Sequence, residues 1–327
     1  MTVPVAVLLG DLGDERCGVG RSTATLLAGH DVVHLDPTVA SWRGWWRACG
    51  AAAARCRGLV IVYPTASTYL RPACFVRALL AAARFRGRWV RTHLHEYHRY
   101  GRRHRPFVAV LAWLGRDGVV VSSAVERRAL RRPWSSVLTR RRTISVIPPA
   151  NGSAPAAPPG RRDRTGTAGV FGMPRPDKDV GWIGTALAAL PPGITRLELA
   201  GSGWDDTESP PVLAEVVRLG HVPDADLARL FARWDVALAP FADGPHDGRL
   251  SLRTPLAHGV PTVTSPPTPG ALTLAVAHLH VLRGATVEPP LDLDVDRHAA
   301  SAAVAEFEAD ARGRLRAALL DDPGAAP

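Results

Sequence analysis

Lys178 is the only lysine in a chain whose lysines and arginines together number 40, so every other cationic side chain is an arginine. Such a bias reflects drift toward arginine wherever any cation will serve. A lysine kept against it marks a place where a compact, mobile ammonium fits and a broad planar guanidinium does not, or else a surface residue retained by chance. Its setting is Gly169-Val-Phe-Gly-Met-Pro-Arg-Pro-Asp-Lys178, an apolar strand running into a Gly/Pro turn. Turns at strand ends in α/β domains hold phosphate groups, and Arg175 with Lys178 on a proline-stiffened turn would clamp a diphosphate.

Two other turns carry residues of the same kind. Gly10 to Gly20, running into Arg21-Ser22, offers Gly18 and Gly20 for close backbone approach to a ligand at a helix start; an ordinary tight loop is equally open. The stretch Ser251-Leu-Arg-Thr-Pro-Leu-Ala-His-Gly259 predicts a short helix with Ser251 as N-cap, Pro255 in the first turn and Gly259 as terminator. Its start, Ser251, Leu252, Arg253 and Thr254, then forms an anion site. Arg253 is the telling residue, because a cation in a first turn opposes the helix dipole unless an anion sits there.

These turns must be positioned by strands and helices. The first half alternates apolar strands (3–9, 31–35, 59–63, 89–93, 118–122, 144–147) with Ala/Leu-rich helical segments (21–28, 42–57, 72–85). The segment 148–167 is dense in Pro, Gly and Ala and reads as a linker. Alternation then resumes with strands at 169–171, 196–200, 217–219, 236–239, 262–264 and 280–282, and a final helix over 299–320. The fold class is therefore α/β, with two Rossmann-like parallel sheets facing each other across a cleft. The domains are 1–147, the linker 148–167, 168–298, and a helix in 299–327 packing back on the first domain.

Composition narrows the function classes. No run approaches the length of a membrane span, and the N-terminal strand lacks the basic lead of a signal peptide. The four cysteines, Cys17, Cys49, Cys56 and Cys74, show no Cys-x-x-Cys spacing, which argues against a zinc knuckle or disulfide framework and suits a reducing cytoplasm. His93-Leu-His95-Glu-Tyr-His98 lacks the partners that would complete a metal site, so no metal is assigned. Between Arg84 and Arg142 lie sixteen arginines against Glu96, Asp117 and Glu126, while the whole chain carries +10. That imbalance points to an anionic partner or a solvated face. It has too few interleaved aromatics for a nucleic-acid platform. Trp42, Trp45, Trp46, Phe75 and Phe85, set among arginines such as Arg43, Arg77 and Arg84, fit either an anionic membrane surface or the core of the first domain.

Several stretches, in order, resemble the retaining GT-B glycosyltransferases of the family-4 type. They are Phe171-Gly-Met-Pro-Arg-Pro-Asp-Lys178, Leu197-Glu-Leu-Ala-Gly-Ser-Gly203, Leu219-Gly-His-Val-Pro-Asp-Ala-Asp-Leu227, Trp234-Asp-Val-Ala-Leu-Ala-Pro240 and Ala257-His-Gly-Val-Pro-Thr-Val-Thr264. In the first half, Gly18-Val-Gly20-Arg21 is similar to the family's glycine loop, Thr92-His-Leu-His95 to its sugar-facing strand end, and Ile147-Pro-Pro-Ala-Asn-Gly152 to its Pro-Asn-Gly turn. The chain departs from the pattern where Met173 stands in place of the clamp's arginine. His246 and Thr254 stand in place of two glutamates.

The resemblance implies a cytoplasmic enzyme, peripheral at the membrane if the basic first domain docks there. It would move a sugar from a nucleoside-diphosphate sugar to a small or lipid-linked hydroxyl acceptor. Anomeric configuration would be retained, with no metal and no cofactor beyond the nucleotide-sugar co-substrate. Lys178, Arg175, Gly18, Gly20 and Ser251 to Thr254 would bind the donor. His95 would face the transferred sugar as the catalytic residue, or else be a core histidine. A sugar-nucleotide epimerase on the same fold, and an inactive partner that binds nucleotide sugar, are the other readings.

Overall fold

The computed structural model describes residues 3–10, 12, 17–64, 68, 71–95, 104–149, 164–175, 177–208, 215–276, 278–291, 293 and 296–321. Glu96, Tyr97, His98, Asn151, Gly152 and most of the 148–167 segment lie outside them. The chain divides into two compact units, one of Met1–Gly152 with Asp310–Pro327 and one of Ser153–Ala309.

The first unit alternates β1 (Val5–Leu8), α1 (Gly18–Leu27), β2 (Val32–Leu35), α2 (Trp42–Arg55), β3 (Gly58–Tyr63), α3 (Pro72–Arg84) and β4 (Trp89–Leu94). It continues with α4 (Arg105–Leu114), β5 (Gly118–Val121), α5 (Ala124–Leu130), α6 (Pro133–Thr139) and β6 (Ile144–Val146). The six strands form one parallel sheet in the order β2-β1-β3-β4-β5-β6. A parallel sheet is covered on both faces, so β3 and β4 are buried along their whole lengths. One face packs on α2 to α5 through residues such as Trp45, Ala78, Phe85 and Leu111. The other packs on α1 and, through Leu315, Leu319 and Leu320, on the last helix.

The second unit runs β7 (Thr167–Phe171), α7 (Val180–Ala188), β8 (Arg196–Ala200), β9 (Glu215–Gly220), α8 (Asp224–Ala232), β10 (Val236–Ala239) and α9 (Leu250–Ala257). It ends with β11 (Thr262–Thr264), β12 (Leu279–Arg283), β13 (Thr286–Glu288) and α10 (Arg297–Leu320), whose last turns belong to the first unit. The sheet order is β13-β12-β11-β10-β7-β8-β9. All pairs are parallel except the β12–β13 hairpin, whose second strand the apolar pattern alone did not reveal. Setting the hairpin strand aside, chain order reverses between β7 and β10, the topological switch point at which open α/β sheets bind ligands.

Glycine and tryptophan together close the middle of this sheet. Gly169 lies on β7 between Ala237 of β10 and Glu198 of β8. A β-carbon there would fall 2.1 Å from the Trp234 ring, so the indole occupies the space that glycine leaves. Trp234 Nε1 donates to Glu198 Oε2 at 2.9 Å, and Arg233 Nε donates to the same oxygen at 2.8 Å. Glu198 is 2% exposed, and these donors are what make a carboxylate tolerable at that depth.

The membrane reading of the tryptophan and arginine cluster needs correction for its central members. Trp45 and Phe85 are core residues, and Arg77 is buried with its guanidinium 5.1 Å from the Trp42 ring and 5.7 Å from that of Trp45. Amphipathic α2 and α3 turn those residues toward the sheet. Among the described residues no helix is long and apolar enough to cross a membrane, and all four cysteines are buried thiols outside any disulfide.

Gly169→Ala should destabilise the chain by roughly 1–3 kcal/mol, because the new methyl must push the Trp234 indole out of its slot. Chemical denaturation monitored by tryptophan fluorescence reads this directly; wild-type stability in the variant would contradict the packing.

Candidate functional site

The turn that leaves β7 is built by glycines. Gly172 has φ +92°, a left-handed conformation that a side chain would strain, and its N–H donates to Ala200 O at 2.7 Å. Trp204 Nε1 donates to Gly172 O at 2.9 Å, and a β-carbon on Gly201 would strike that same carbonyl at 2.6 Å. The ends of β7 and β8 are therefore in backbone contact, which fixes where the 172–179 segment begins.

The far end of the segment is fixed against β10. Lys178 makes an antiparallel bridge with Phe241, Asp179 N donates to Pro240 O at 3.1 Å, and Ala242 N donates to Asp177 O at 2.9 Å. Lys178 thus lies at the switch point between β7 and β10. Only 9% exposed, it folds its side chain back so that Nζ donates to Phe171 O at 2.6 Å. A β-carbon at Gly172 would sit 3.5 Å from that ammonium and 3.2 Å from Ser251 Cβ. Gly172, Lys178 and Ser251 therefore converge in one corner.

Arg249, which sequence reasoning missed, holds this corner together. It is the N-cap of α9, 8% exposed, and it bonds both Asp177 and Asp243 while lying 4.7 Å from the Phe241 ring. The 172–179 segment, the turn after β10 and the start of α9 are joined through this one side chain. Its only signal in the sequence is an arginine two residues ahead of Ser251 with acids at 177 and 243. Linking those acids requires the fold.

The predicted anion site at the α9 start is corrected in several respects. Arg249, not Ser251, caps the helix, and Pro255 lies in its second turn rather than its first. Leu252 is a core residue. Arg253 is fully buried, paired with Glu308 of α10 and 5.7 Å from the Phe307 ring, so Glu308 rather than a ligand supplies its counter-charge. Thr254 is buried and donates to Leu250 O at 2.8 Å. Only Ser251 of the four faces the Lys178 corner. Arg175 is exposed on the turn, with its carbonyl accepting from Lys178 N at 2.8 Å. Met173 is 44% exposed, and His246 is buried with Nδ1 accepting from Gly248 N at 3.1 Å.

In the first unit Gly18 and Gly20 are in the opening turn of α1 and not in an extended loop. Cys17 is the N-cap, its Sγ accepting from Gly20 N at 3.4 Å. This helix start follows β1, at the point where strand order reverses between β1 and β3.

His95 directly follows β4 and is 3% exposed, its backbone N–H donating to Tyr63 O at 2.9 Å. Nδ1 is hydrogen-bonded to Ser122 Oγ at 2.9 Å, while Ser122 N donates to Glu126 Oε2 at 2.6 Å. Glu126 N donates in turn to Ser123 Oγ at 3.3 Å, a capping arrangement legible as Ser-x-x-Glu in the sequence. Beside it lies His93, the ring centroids 4.0 Å apart. Burial first, and the neighbouring His95 second, hold the His93 pKa well below the ordinary imidazole value, so that ring is neutral. Among the described residues no three His, Cys, Asp or Glu side chains converge as metal ligands.

No protein-family profile and no curated protein matches the sequence. Solved structures do resemble the chain in shape. An alpha-glucosyltransferase in complex with UDP and a 13-mer DNA containing an HMU base aligns with a TM-score of 0.53 at 10% identity, over 98% of this chain and 96% of that one. An alpha-glucosyltransferase in complex with UDP-glucose and DNA containing an abasic site gives 0.54 at 11% identity, over 97% and 94%. The lipopolysaccharide outer core galactosyltransferase WaaB, in its apo form, gives 0.51 at 11%, over 97% and 95%. At these identities the likeness is one of fold, and the fold is that of the GT-B glycosyltransferases: two Rossmann-like α/β units in one chain.

Lys178→Ala should weaken nucleoside-diphosphate binding by roughly 1.5–3 kcal/mol, the range for hydrogen bonds to charged groups, and Lys178→Arg should not restore it. Calorimetric titration with nucleoside diphosphates decides; equal affinities in wild type and Lys178→Ala would remove the lysine from the site.

Proposed function

We propose that this chain is a glycosyltransferase that moves a sugar from a nucleoside-diphosphate sugar to a hydroxyl acceptor with retention of anomeric configuration. The observation that carries this reading is the placement of the sole lysine, buried beside Gly172 and Ser251 at the switch point of the second sheet. A compact ammonium held there is suited to a diphosphate. As the sugar–phosphate bond breaks, negative charge builds on the leaving group, and a pre-positioned cation offsets it without reorganising.

In this reading the second unit binds the donor through Lys178, the Gly172 backbone and Ser251, with Arg175 reaching in from the exposed side of the turn. The first unit binds the acceptor, and the His95–Ser122–Glu126 chain holds one imidazole face fixed for the transferred sugar. Retention and independence from metal follow from the family-4 resemblance. The four buried thiols suit a reducing cytoplasm.

A second reading is favoured by a particular set of residues. Arg253 and Thr254 point inward to Glu308 and Leu250, and exposed Met173 stands where the resembled family has an arginine. A chain so depleted in diphosphate ligands could bind a nucleotide sugar without turning it over and serve another transferase. Incubating the purified chain with a panel of nucleotide sugars separates the two. Slow donor hydrolysis, or transfer giving a product whose anomeric configuration by NMR matches the donor's, is expected. An inverted product would overturn retention, and saturable binding without any turnover would favour the partner role.

His95→Ala should then lower kcat and kcat/KM by similar factors while KM and nucleoside-diphosphate affinity stay near wild type. Steady-state kinetics beside a melting curve check this. Full turnover in a well-folded variant, or a loss explained wholly by unfolding, would make His95 a core residue.

A further inference from the structure

Large exposed apolar side chains gather at one edge of the first unit. Val39 lies just ahead of α2 and Trp42 opens it, Val76 is in the early turns of α3, and Phe107 in the first turn of α4, with exposures from 39% to 49%. The helices follow β2, β3 and β4 respectively. Those strands lie parallel in one sheet, so their carboxyl ends, and the helix starts after them, share one edge. The three helices pack side by side. Contacts run across them: the Arg77 guanidinium of α3 lies 5.1 Å from the Trp42 ring, and Phe75 of α3 meets Phe107 of α4 edge-on at 5.1 Å.

The same edge is positively charged. None of the three helices carries an acid in its first turn; α2 is capped by Ser41 Oγ, which accepts from Gly44 N at 3.0 Å, while α3 and α4 start without a side-chain cap. Arg43 and Arg47 of α2 are exposed, as is Arg71, the N-cap of α3, and Arg105 opens α4. The nearest acid in the described parts of these segments is Asp36. It is engaged locally, accepting from the backbone N–H and the hydroxyl of Thr38 at 2.7 Å each.

We infer that this edge docks on the surface of an anionic lipid bilayer. Arginines and helix N-termini match lipid phosphates, while Trp42, Val76 and Phe107 match the boundary between headgroups and acyl chains, the combination that holds interfacial elements on membranes. A nucleic acid would satisfy the cations but offers nothing to Val39 and Val76. A second copy of the chain would bring two positive edges together. The inference stands on exposure and charge in the first unit alone and holds whether or not the chain transfers sugar.

Flotation of the full chain with vesicles of phosphatidylcholine containing phosphatidylglycerol, against phosphatidylcholine alone, tests it. Binding to the anionic vesicles is expected, with a blue shift in tryptophan emission that is diminished in Trp42→Phe. Val76→Asp and Phe107→Asp should each lower partitioning about ten-fold or more, Val76→Asp without moving the melting temperature and Phe107→Asp with at most the small drop that loss of the Phe75 contact brings. Failure to prefer anionic vesicles would overturn the inference, as would unchanged partitioning in both aspartate variants. A duplex oligonucleotide bound equally well by wild type and both variants, with vesicle binding absent, would assign the charge to nucleic acid instead. A concentration-dependent dimer dissolved by the same substitutions would assign the face to a second copy.

Discussion

The left-handed turn at Gly172 is the constraint on which the rest of the second unit's site depends. At φ +92° the chain leaves β7 sharply enough for its carbonyl to accept from Trp204 and its N–H to reach Ala200. From that start the chain runs on to Lys178, where pairing with Phe241 closes the segment on β10. The path is short and tied at both ends, to Ala200 and Trp204 on one side and to Pro240 and Phe241 on the other. Any side chain at 172 would strain the turn and crowd Ser251, with its β-carbon in contact with the ammonium. The glycine at 172 and the lysine at 178 thus act as one feature.

Charge in this corner is divided between two cations with different tasks. Asp177 and Asp243 are engaged by Arg249, which Phe241 backs with its ring. The arginine thereby keeps two acids occupied close to the lysine. Arginine suits that structural task because its planar fork meets two carboxylates at once, whereas the compact lysine suits the corner beside Gly172.

Strand–helix alternation was legible in the sequence because parallel strands buried on both faces read as short apolar runs, and Thr262–Thr264, Arg196–Ala200 and Val236–Ala239 fell where expected. The Lys178 turn was legible because turn residues declare themselves locally. The α9 start was not. Placing the cap at Ser251 instead of Arg249 starts the helix two residues late, so Arg253 and Thr254, read as open first-turn residues, lie beyond the first turn and are buried. The β12–β13 hairpin strand was missed for want of a run long enough to show alternation. Trp45 and Phe85 read as core residues ahead of membrane-facing ones, and helix packing bears out the core reading.

The burial of Arg253 shows why no local rule could have placed it. Its partner, Glu308, is 55 residues downstream on α10, and the two come together only when that helix packs over α9. Burying the guanidinium lowers its pKa by desolvation, and Glu308 opposes that loss. Removing either partner would strand the other as an uncompensated buried charge, which costs far more than replacing both with apolar residues of similar volume. The pair therefore ties α10 to α9 where Leu252, Leu256 and Val304 pack in one cluster. What the sequence presents as a helix start awaiting an anion is a helix whose anion is already part of the chain.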